Sequence, residues 1–374
     1  MTSFSCSYYM QKAFDLALKG INKTSPNPLV GAVLVKNNNI IGEGYHQKFG
    51  GPHAEVHAIA SANQSITGAD LYVTLEPCTH YGKTPPCVDL IIENKIKKVF
   101  IACLDPNPLV AGQSVQKLRD ANIEVEIGIL NDKCRSLNAP FFKYVTEQKS
   151  FLYVKNAITI DGKIACKTGH SQWISNKMAQ EYVHKLRYRM SGILTAIGTI
   201  KYDNPQLNVR LPSKTAINQP FKVIIDPLGE CSIEYRVFQE NPDKIILFIC
   251  EKYTNNINIV QCINAGAQVI RYHDQEIPVD FILAKCAELG IDSLLVEAGT
   301  GLISRILRGN YADGGVFFIA PRILGDNKAY TLMSGQNCSE MNQSLKLNNV
   351  LWKLFPGDED NMALFFGEKL CLPD

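Results

Sequence analysis

The sequence has almost no imbalance of charge. Its 374 residues carry 38 Lys+Arg against 36 Asp+Glu, a formal net charge of +2, and the basic residues form no cluster. A nucleic-acid-binding surface needs a basic patch or stripe, so no polynucleotide partner is expected. Long apolar runs are missing too, and none approaches the ~20 residues of a membrane-spanning helix. The opening residues, MTSFSCSYYMQKAF, lack the basic-then-apolar pattern of a secretion signal. Twelve cysteines are scattered without the even spacing of a disulfide framework. A cytoplasmic protein is therefore expected. Internal repeats and low-complexity segments are absent. What remains is an ordinary globular composition, 46% hydrophobic and 20% charged, in a chain long enough for about two domains.

Residues 52–87 carry the clearest chemistry. They hold His53-Ala54-Glu55, then Glu76-Pro77-Cys78, an eight-residue spacer, and Cys87. One imidazole and two thiols make three zinc ligands and leave a fourth tetrahedral position for water, the pattern of a catalytic site. Glu55 is placed to act as an acid/base that does not bind the metal. Zinc nucleobase deaminases use this arrangement: activated water attacks a ring carbon bearing an amine, and a glutamate shuttles protons. The plainer alternatives are that buried cysteines are often just small hydrophobes and that His-x-Glu is common by chance. His57 lies one turn along the same helix, as a packing or supporting residue. His80 falls in the loop, where it would meet substrate.

Periodicity orders the rest of this half. Tyr9, Ala13, Phe14, Leu16 and Ala17 predict a helix over 7–19. Residues 29–35 and 40–45 read as strands joined by an Asn-Asn-Asn turn. A helix from His53, a strand at 70–75, a helix at 88–95, a strand at 99–103, a helix at 113–121 and a strand at 123–127 follow. The alternation predicts a layered α/β sandwich. It sets His53 and Cys87 at helix starts, where the positive end of the helix favours thiolate over thiol, and Cys78 just past a strand.

The runs PNPLVGAVLV, GEGYHQKFGGPHAEVHAI, YVTLEPCTHYGKTPPC and DPNPLVAGQ resemble the deaminase half of the bifunctional riboflavin-biosynthesis deaminase/reductase family. The long spacer between Cys78 and Cys87 separates them from the shorter Cys-x-x-Cys of cytidine and tRNA deaminases. The resemblance implies a cytidine-deaminase-like three-layer sandwich with zinc on His53, Cys78 and Cys87 and Glu55 as proton shuttle. It also implies that Asn27, His46, His80, Lys83, Asp105 and Asn107 line a pyrimidine and phosphoribosyl pocket. Asn27 and Asn107 sit in Asn-Pro turns, where a structural cap is equally natural.

A boundary is expected within 138–150, where Pro140 and the polar TEQKS interrupt the pattern, giving domains 1–146 and 147–374. Beyond it, strands are predicted at 151–160, 192–197, 221–225, 244–249, 267–270, 293–296 and 315–319, with a last one ending at Phe366. Helices are predicted at 176–190, with Ser175 as N-cap, at 280–289 and at 302–308. This half is again α/β. No Gly-x-Gly-x-x-Gly follows its first strand, which excludes the Rossmann fingerprint. Glu297-Ala298-Gly299-Thr300-Gly301 fits either a phosphate-binding helix start or an ordinary tight turn. Arg187 and Arg210 fit phosphate clamps or solvated surface charges, and Asp161 a turn as well as chemistry.

TIDGKIA, SQWIS, GTIKYDNPQLNVR, VEAGTGL and APRILG resemble the reductase half of the same family. This implies a dihydrofolate-reductase-like α/β domain that uses NADPH. By that resemblance Ala157, Trp173, Thr199, Asp203, Gly299, Thr300 and Gly301 hold the cofactor. Ser171, Arg187, Leu207, Arg210 and Glu297 face a phosphoribosyl substrate, and Lys155 and Glu297 polarise or protonate the reacting centre. Departures are small: Thr-Ile-Asp-Gly replaces the common Ser-Leu-Asp-Gly, and Pro227 stands where some relatives have Ser. From about Ala329 onward nothing specific matches. The expectation is a two-step enzyme acting on a small phosphoribosyl pyrimidine, assembled as a homo-oligomer (dimer or tetramer). The alternatives are a tRNA base deaminase and a non-enzymatic module that zinc merely stabilises.

Overall fold

The computed structural model describes residues 5–79, 85–107, 111–212, 217–335 and 338–372. It divides into two compact units, Met1–Gln148 together with Leu370–Asp374, and Lys149–Lys369. The second domain was expected to run to the end of the chain; the final residues group with the first unit instead. Among the described residues, no helix is long and apolar enough to cross a membrane.

The first unit runs through α1 (Cys6–Leu18), β1 (Gly31–Lys36), β2 (Asn39–Tyr45), α2 (Ala54–Ala60), β3 (Asp70–Leu75), α3 (Cys87–Glu93), β4 (Lys98–Cys103), α4 (Gln113–Asp120), β5 (Glu124–Ile127), α5 (Asn131–Leu137) and α6 (Ala139–Glu147). The strands form one sheet in the order β2-β1-β3-β4-β5. β1 is antiparallel to β2 and β3, whereas β3, β4 and β5 are parallel. Side chains alternate between the faces. Ala32, Leu34, Leu71, Val73, Val99 and Ile101 bury one face against Ala54 and Ala58 of α2, Val88 and Ile91 of α3 and Leu118 of α4. On the other face Tyr72 stacks on Phe100 at 4.3 Å, and Tyr9 of α1 lies 5.2 Å from Tyr72. Helices cover both faces, giving the expected three layers. Gly31 permits the closeness of α1, because a Cβ there would overlap the Ala13 carbonyl oxygen. The segment read as a linker is helical: α6 takes Pro140 in its first turn, where the missing N–H costs nothing.

The second unit comprises β6 (Phe151–Thr159), β7 (Lys163–Ala165), α7 (Lys177–Arg189), β8 (Gly192–Ala196), α8 (Ile197–Asp203), β9 (Phe221–Ile225), β10 (Ile245–Cys250), α9 (Ile257–Asn264), β11 (Gln268–Tyr272), α10 (Val279–Glu288), β12 (Ser293–Val296), α11 (Thr300–Arg308), β13 (Gly314–Ala320), β14 (Tyr330–Thr331), β15 (Leu351–Phe355) and β16 (Asn361–Gly367). Nine strands form one sheet, β11-β10-β9-β8-β12-β6-β13-β16-β15. It is parallel from β11 to β13 and closes with antiparallel β16 and β15. Leu152, Val154, Leu194, Val223, Leu294 and Val296 pack one face against Ile282 and Cys286 of α10 and Ile303 and Ile306 of α11. Ile193, Ile224, Leu247 and Ile249 pack the other against Ile200 of α8 and Ile259 of α9. The parallel strands β8, β12 and β6 are neighbours, so their carboxyl ends open side by side, where ligands bind in open α/β sheets. Helix α7 starts one residue later than expected. Asn176, not Ser175, is its N-cap, its side chain accepting from the Ala179 N–H at 2.9 Å.

Candidate functional site

The zinc-ligand candidates come from three segments. His53 is the N-cap of α2, Cys87 opens α3, and Cys78 lies three residues past the end of β3. Their ligating atoms all lie within 4.8 Å of one another. His53 Nδ1 is 3.4 Å from Cys78 Sγ and 3.3 Å from Cys87 Sγ. The Cys87 backbone N–H donates to Cys78 Sγ at 3.3 Å. Bonds from the Cys87 thiol, His53 and that N–H bring the Cys78 thiol well down, while Cys87, holding the shared proton in a buried position, is pushed up. One imidazole and two thiols converging on one point, one of them poised as thiolate, suit zinc. Glu55 is buried on α2. Burial pushes its carboxyl up, against the pull of His53, so it can carry a proton that an exposed glutamate would lose.

His46 stands edge-on to His53 with ring centroids 5.6 Å apart. Its Nδ1–H donates to the Pro52 carbonyl at 3.0 Å, and its Nε2 accepts from Asn27 Nδ2 at 3.1 Å. Burial lowers its pKa, which keeps the ring neutral in that relay. Asn27 is therefore joined to the metal site through His46. Asp105 Oδ1 accepts from the Asn107 N–H at 2.8 Å, so the capping role weighed for this turn is present, filled by Asp105. His57 is half-buried on α2. His80 and Lys83 lie outside the described residues.

In the second unit several of the expected residues lie on β6 or on the segments that follow β8 and β12. Lys155 and Ala157 are on β6, Glu297 follows β12, and Thr199 and Asp203 are on α8. Arg187 of α7 grips Glu297 with two bonds, Nε to Oε1 at 2.6 Å and Nη2 to Oε2 at 2.9 Å, and donates Nη1 to the Asn208 carbonyl at 2.9 Å. It is neither a free clamp nor a surface charge but a fixed partner of Glu297. Burial opposes the charge of Glu297, yet Arg187, Lys155 and His184 outweigh it and hold the carboxyl down at about 2. Burial pushes the Lys155 ammonium down, against Glu297 and Asp203. Ser171 donates to Asp203 at 3.2 Å, and Trp173 is 65% exposed.

Leu207 is buried beside Ile193, Ile200 and Phe238, with φ of 50°. Its side chain is taken up by packing. Arg210 is exposed and bonds Gln206 at 3.2 Å. Its backbone N–H donates to His184 Nδ1 at 3.1 Å. His184 went unnoticed in the sequence. Burial, Arg187 and Arg210 bring it down to about 4, so it stays a neutral acceptor among cations. Asp161 makes its turn: it accepts from Thr159 and from the Leu324 and Gly325 N–H groups.

Gly299 is the N-cap of α11 with φ of −80°, and a Cβ at Gly299 or Gly301 would meet nothing within 4 Å. Neither backbone strain nor packing calls for glycine there. Open space before a helix N-terminus is what a dinucleotide phosphate requires, so these residues fit NADPH. Thr300 is already engaged, its hydroxyl donating to the Thr331 carbonyl.

Known proteins match both halves. The family profile for the cytidine and deoxycytidylate deaminase zinc-binding region matches residues 5–103. That for the RibD C-terminal domain matches 150–357. The riboflavin biosynthesis protein RibD of Aquifex aeolicus is 42% identical over 85% of this chain and 87% of its own length. That of Actinobacillus pleuropneumoniae is 38% identical over 91% and 90%. The chain belongs to the RibD family. Solved RibD structures agree: one from Acinetobacter baumannii has a TM-score of 0.87 at 35% identity, covering 97% of this chain and 99% of that one. A diaminohydroxyphosphoribosylaminopyrimidine deaminase/5-amino-6-(5-phosphoribosylamino)uracil reductase from Thermotoga maritima has 0.84 at 38%, covering 96% and 98%. RibD membership makes the chain a two-activity enzyme of riboflavin biosynthesis, a deaminase joined to a reductase, dependent on zinc and NADPH.

Proposed function

We propose that residues 1–146 hydrolytically remove the 2-amino group of 2,5-diamino-6-(5-phosphoribosylamino)pyrimidin-4-one and that residues 147–374 reduce the ribosyl chain of the product to ribityl. The convergence of His53, Cys78 and Cys87 beside a buried Glu55 carries the first assignment. When bound, zinc supplies the Lewis acidity that makes water nucleophilic near neutral pH. Glu55 accepts the proton of the attacking water and returns it to the departing amine as ammonia. Asn27, His46, His80, Lys83, Asp105 and Asn107 hold the pyrimidine and its phosphoribosyl group.

In the second unit NADPH, when bound, supplies the hydride to C1′ of the ring-opened ribose. Thr199, Asp203, Ala157, Trp173 and residues 299–301 hold the cofactor. Lys155, its proton loosened by burial, protonates the atom beside the carbon being reduced. Glu297 keeps its charge through Arg187 and orients Lys155, while Ser171, Arg210 and the backbone at Leu207 face the substrate.

The test pairs metal analysis with two assays on the full-length enzyme: ammonia release from the diaminopyrimidine, and NADPH oxidation with the deaminated intermediate. Zinc near one per chain with both activities is the expected result. Activity in metal-free protein overturns the deaminase assignment.

The chain also self-associates in this reading, supported by the outermost strand of the large sheet. β15 exposes Leu351, Trp352 and Leu354 at 46%, 52% and 51%, an apolar edge of the kind that pairs with another strand. Sedimentation of wild type and Trp352→Glu tests it, with a shift toward monomer expected in the variant. A cytoplasmic location fits the same reading, because thiolate ligands such as Cys78 and Cys87 persist under reducing conditions.

A further inference from the structure

Glu76 sits between the end of β3 and Cys78 and is buried. Its backbone N–H donates to the Cys103 carbonyl at the end of β4, at 3.0 Å. Its side chain reaches past β4 and accepts four hydrogen bonds. Oε2 takes the N–H groups of Asp105 at 3.1 Å and Gly112 at 3.0 Å. Oε1 takes the Ser114 N–H at 3.1 Å and the Ser114 hydroxyl at 2.8 Å. A carboxylate offers about four acceptor sites, and all are filled by donors drawn from one segment. Gly112 and Ser114 belong to the start of α4, where a negative charge is also favoured.

We propose that Glu76 is a positioning residue for deamination, its carboxylate holding the segment that bears Asp105 and Asn107 in register with the Cys78 ligand. A single residue, Pro77, separates the anchor from the metal ligand, so the two walls of the site are tied together just past the end of β3. This rests on the reading of Asp105 and Asn107 as pocket residues. Only an acceptor-only group of this shape serves. Glutamine has the same outline, but its NH2 would face two donors in place of an oxygen.

Glu76→Gln in the full-length zinc enzyme is the test, with ammonia release measured against pyrimidine concentration. The expected result is a KM raised about tenfold, the equivalent of losing one charge-assisted bond, with kcat within about twofold. Zinc content and NADPH-dependent reduction stay at wild-type levels. An unchanged KM overturns the proposal, as does a loss of kcat that tracks loss of zinc, because either makes Glu76 purely structural or part of metal retention. Ser114→Ala, which removes one of the four donors without altering the anchor, decides the matter if Glu76→Gln does not fold. Its KM should rise about threefold, and no rise overturns the proposal. Asn107→Ala, run alongside, separates the two levels: a raised KM there with a normal one in Glu76→Gln discards the anchor and leaves the pocket standing.

Discussion

Glu55 occupies a place hostile to its own charge: burial pushes its carboxyl up and outweighs the pull of His53 and of its hydrogen bonds, one of them to Cys87. That hostility is what a proton shuttle needs, since the ideal shuttle titrates near working pH. Glu55→Gln is expected to keep zinc and lose ammonia release by about 10²–10⁴-fold, with NADPH oxidation on supplied intermediate unchanged; ammonia release at the normal rate removes Glu55 from the mechanism. Glu297 presents the opposite case. Its carboxyl, held at about 2 by Arg187 and its neighbours against the cost of burial, lies below the unfolded value of about 4.3. Its contribution to stability is therefore complete above about pH 4.3 and lost as pH falls toward 2. Glu297→Gln leaves the largely buried Arg187 without a carboxylate partner, which costs about 3 kcal/mol at pH 7, and flattens the stability profile between pH 4.3 and 2. Urea unfolding at pH 7 and pH 3 checks both. The zinc ligands were legible because their spacing is local and their chemistry is rare. His184 and Glu76 were not, because each is defined by partners far along the chain, at Arg210 for one and Asp105 to Ser114 for the other.

Helix α7 shows what an element gains from being capped by the right residue. Asn176 accepts from the Ala179 N–H and donates its Nδ2 to the carbonyls of Phe355 at 2.7 Å and Glu359 at 2.9 Å, while its own N–H donates to Asn361 Oδ1 at 2.7 Å. One side chain thus closes the helix and ties it to the β15–β16 hairpin, which explains why Ser175, an equally good cap in isolation, is passed over. Asn176→Ala is expected to cost about 2 kcal/mol, a cap plus a tertiary bond. Asn176→Ser, which keeps the cap alone, should recover about half; equal losses in the two variants, read by urea unfolding, would show that the hairpin bonds alone matter. Elements with clean periodicity, such as α1 and β3, were readable in sequence. Helix α6 was hidden by Pro140, which reads as a breaker but is harmless in a first turn. Helix α9 was hidden by Ile257, Ile259, Val260 and Ile263, β-branched residues that weaken a helical signal.

At the scale of the whole molecule, the two compact units carry ligand sets that share no residue. In the proposed assignment zinc is held by groups between His53 and Cys87 and NADPH by groups between Ala157 and Gly301. Each ligand therefore stabilises only the unit whose folded form binds it, by RT ln(1 + [L]/Kd), about 2.7 kcal/mol at a hundredfold excess over Kd. Thermal unfolding should show two transitions that respond separately. Chelation is expected to lower one and abolish ammonia release, while NADPH raises the other and chelated enzyme still reduces the supplied intermediate. Each sheet has its own core, with Ala32, Leu34 and Val73 in the first and Leu152, Val154 and Leu294 in the second. A single transition moved equally by chelator and by NADPH would mean that the units unfold as one body, and the independence of the two chemistries would fall with it.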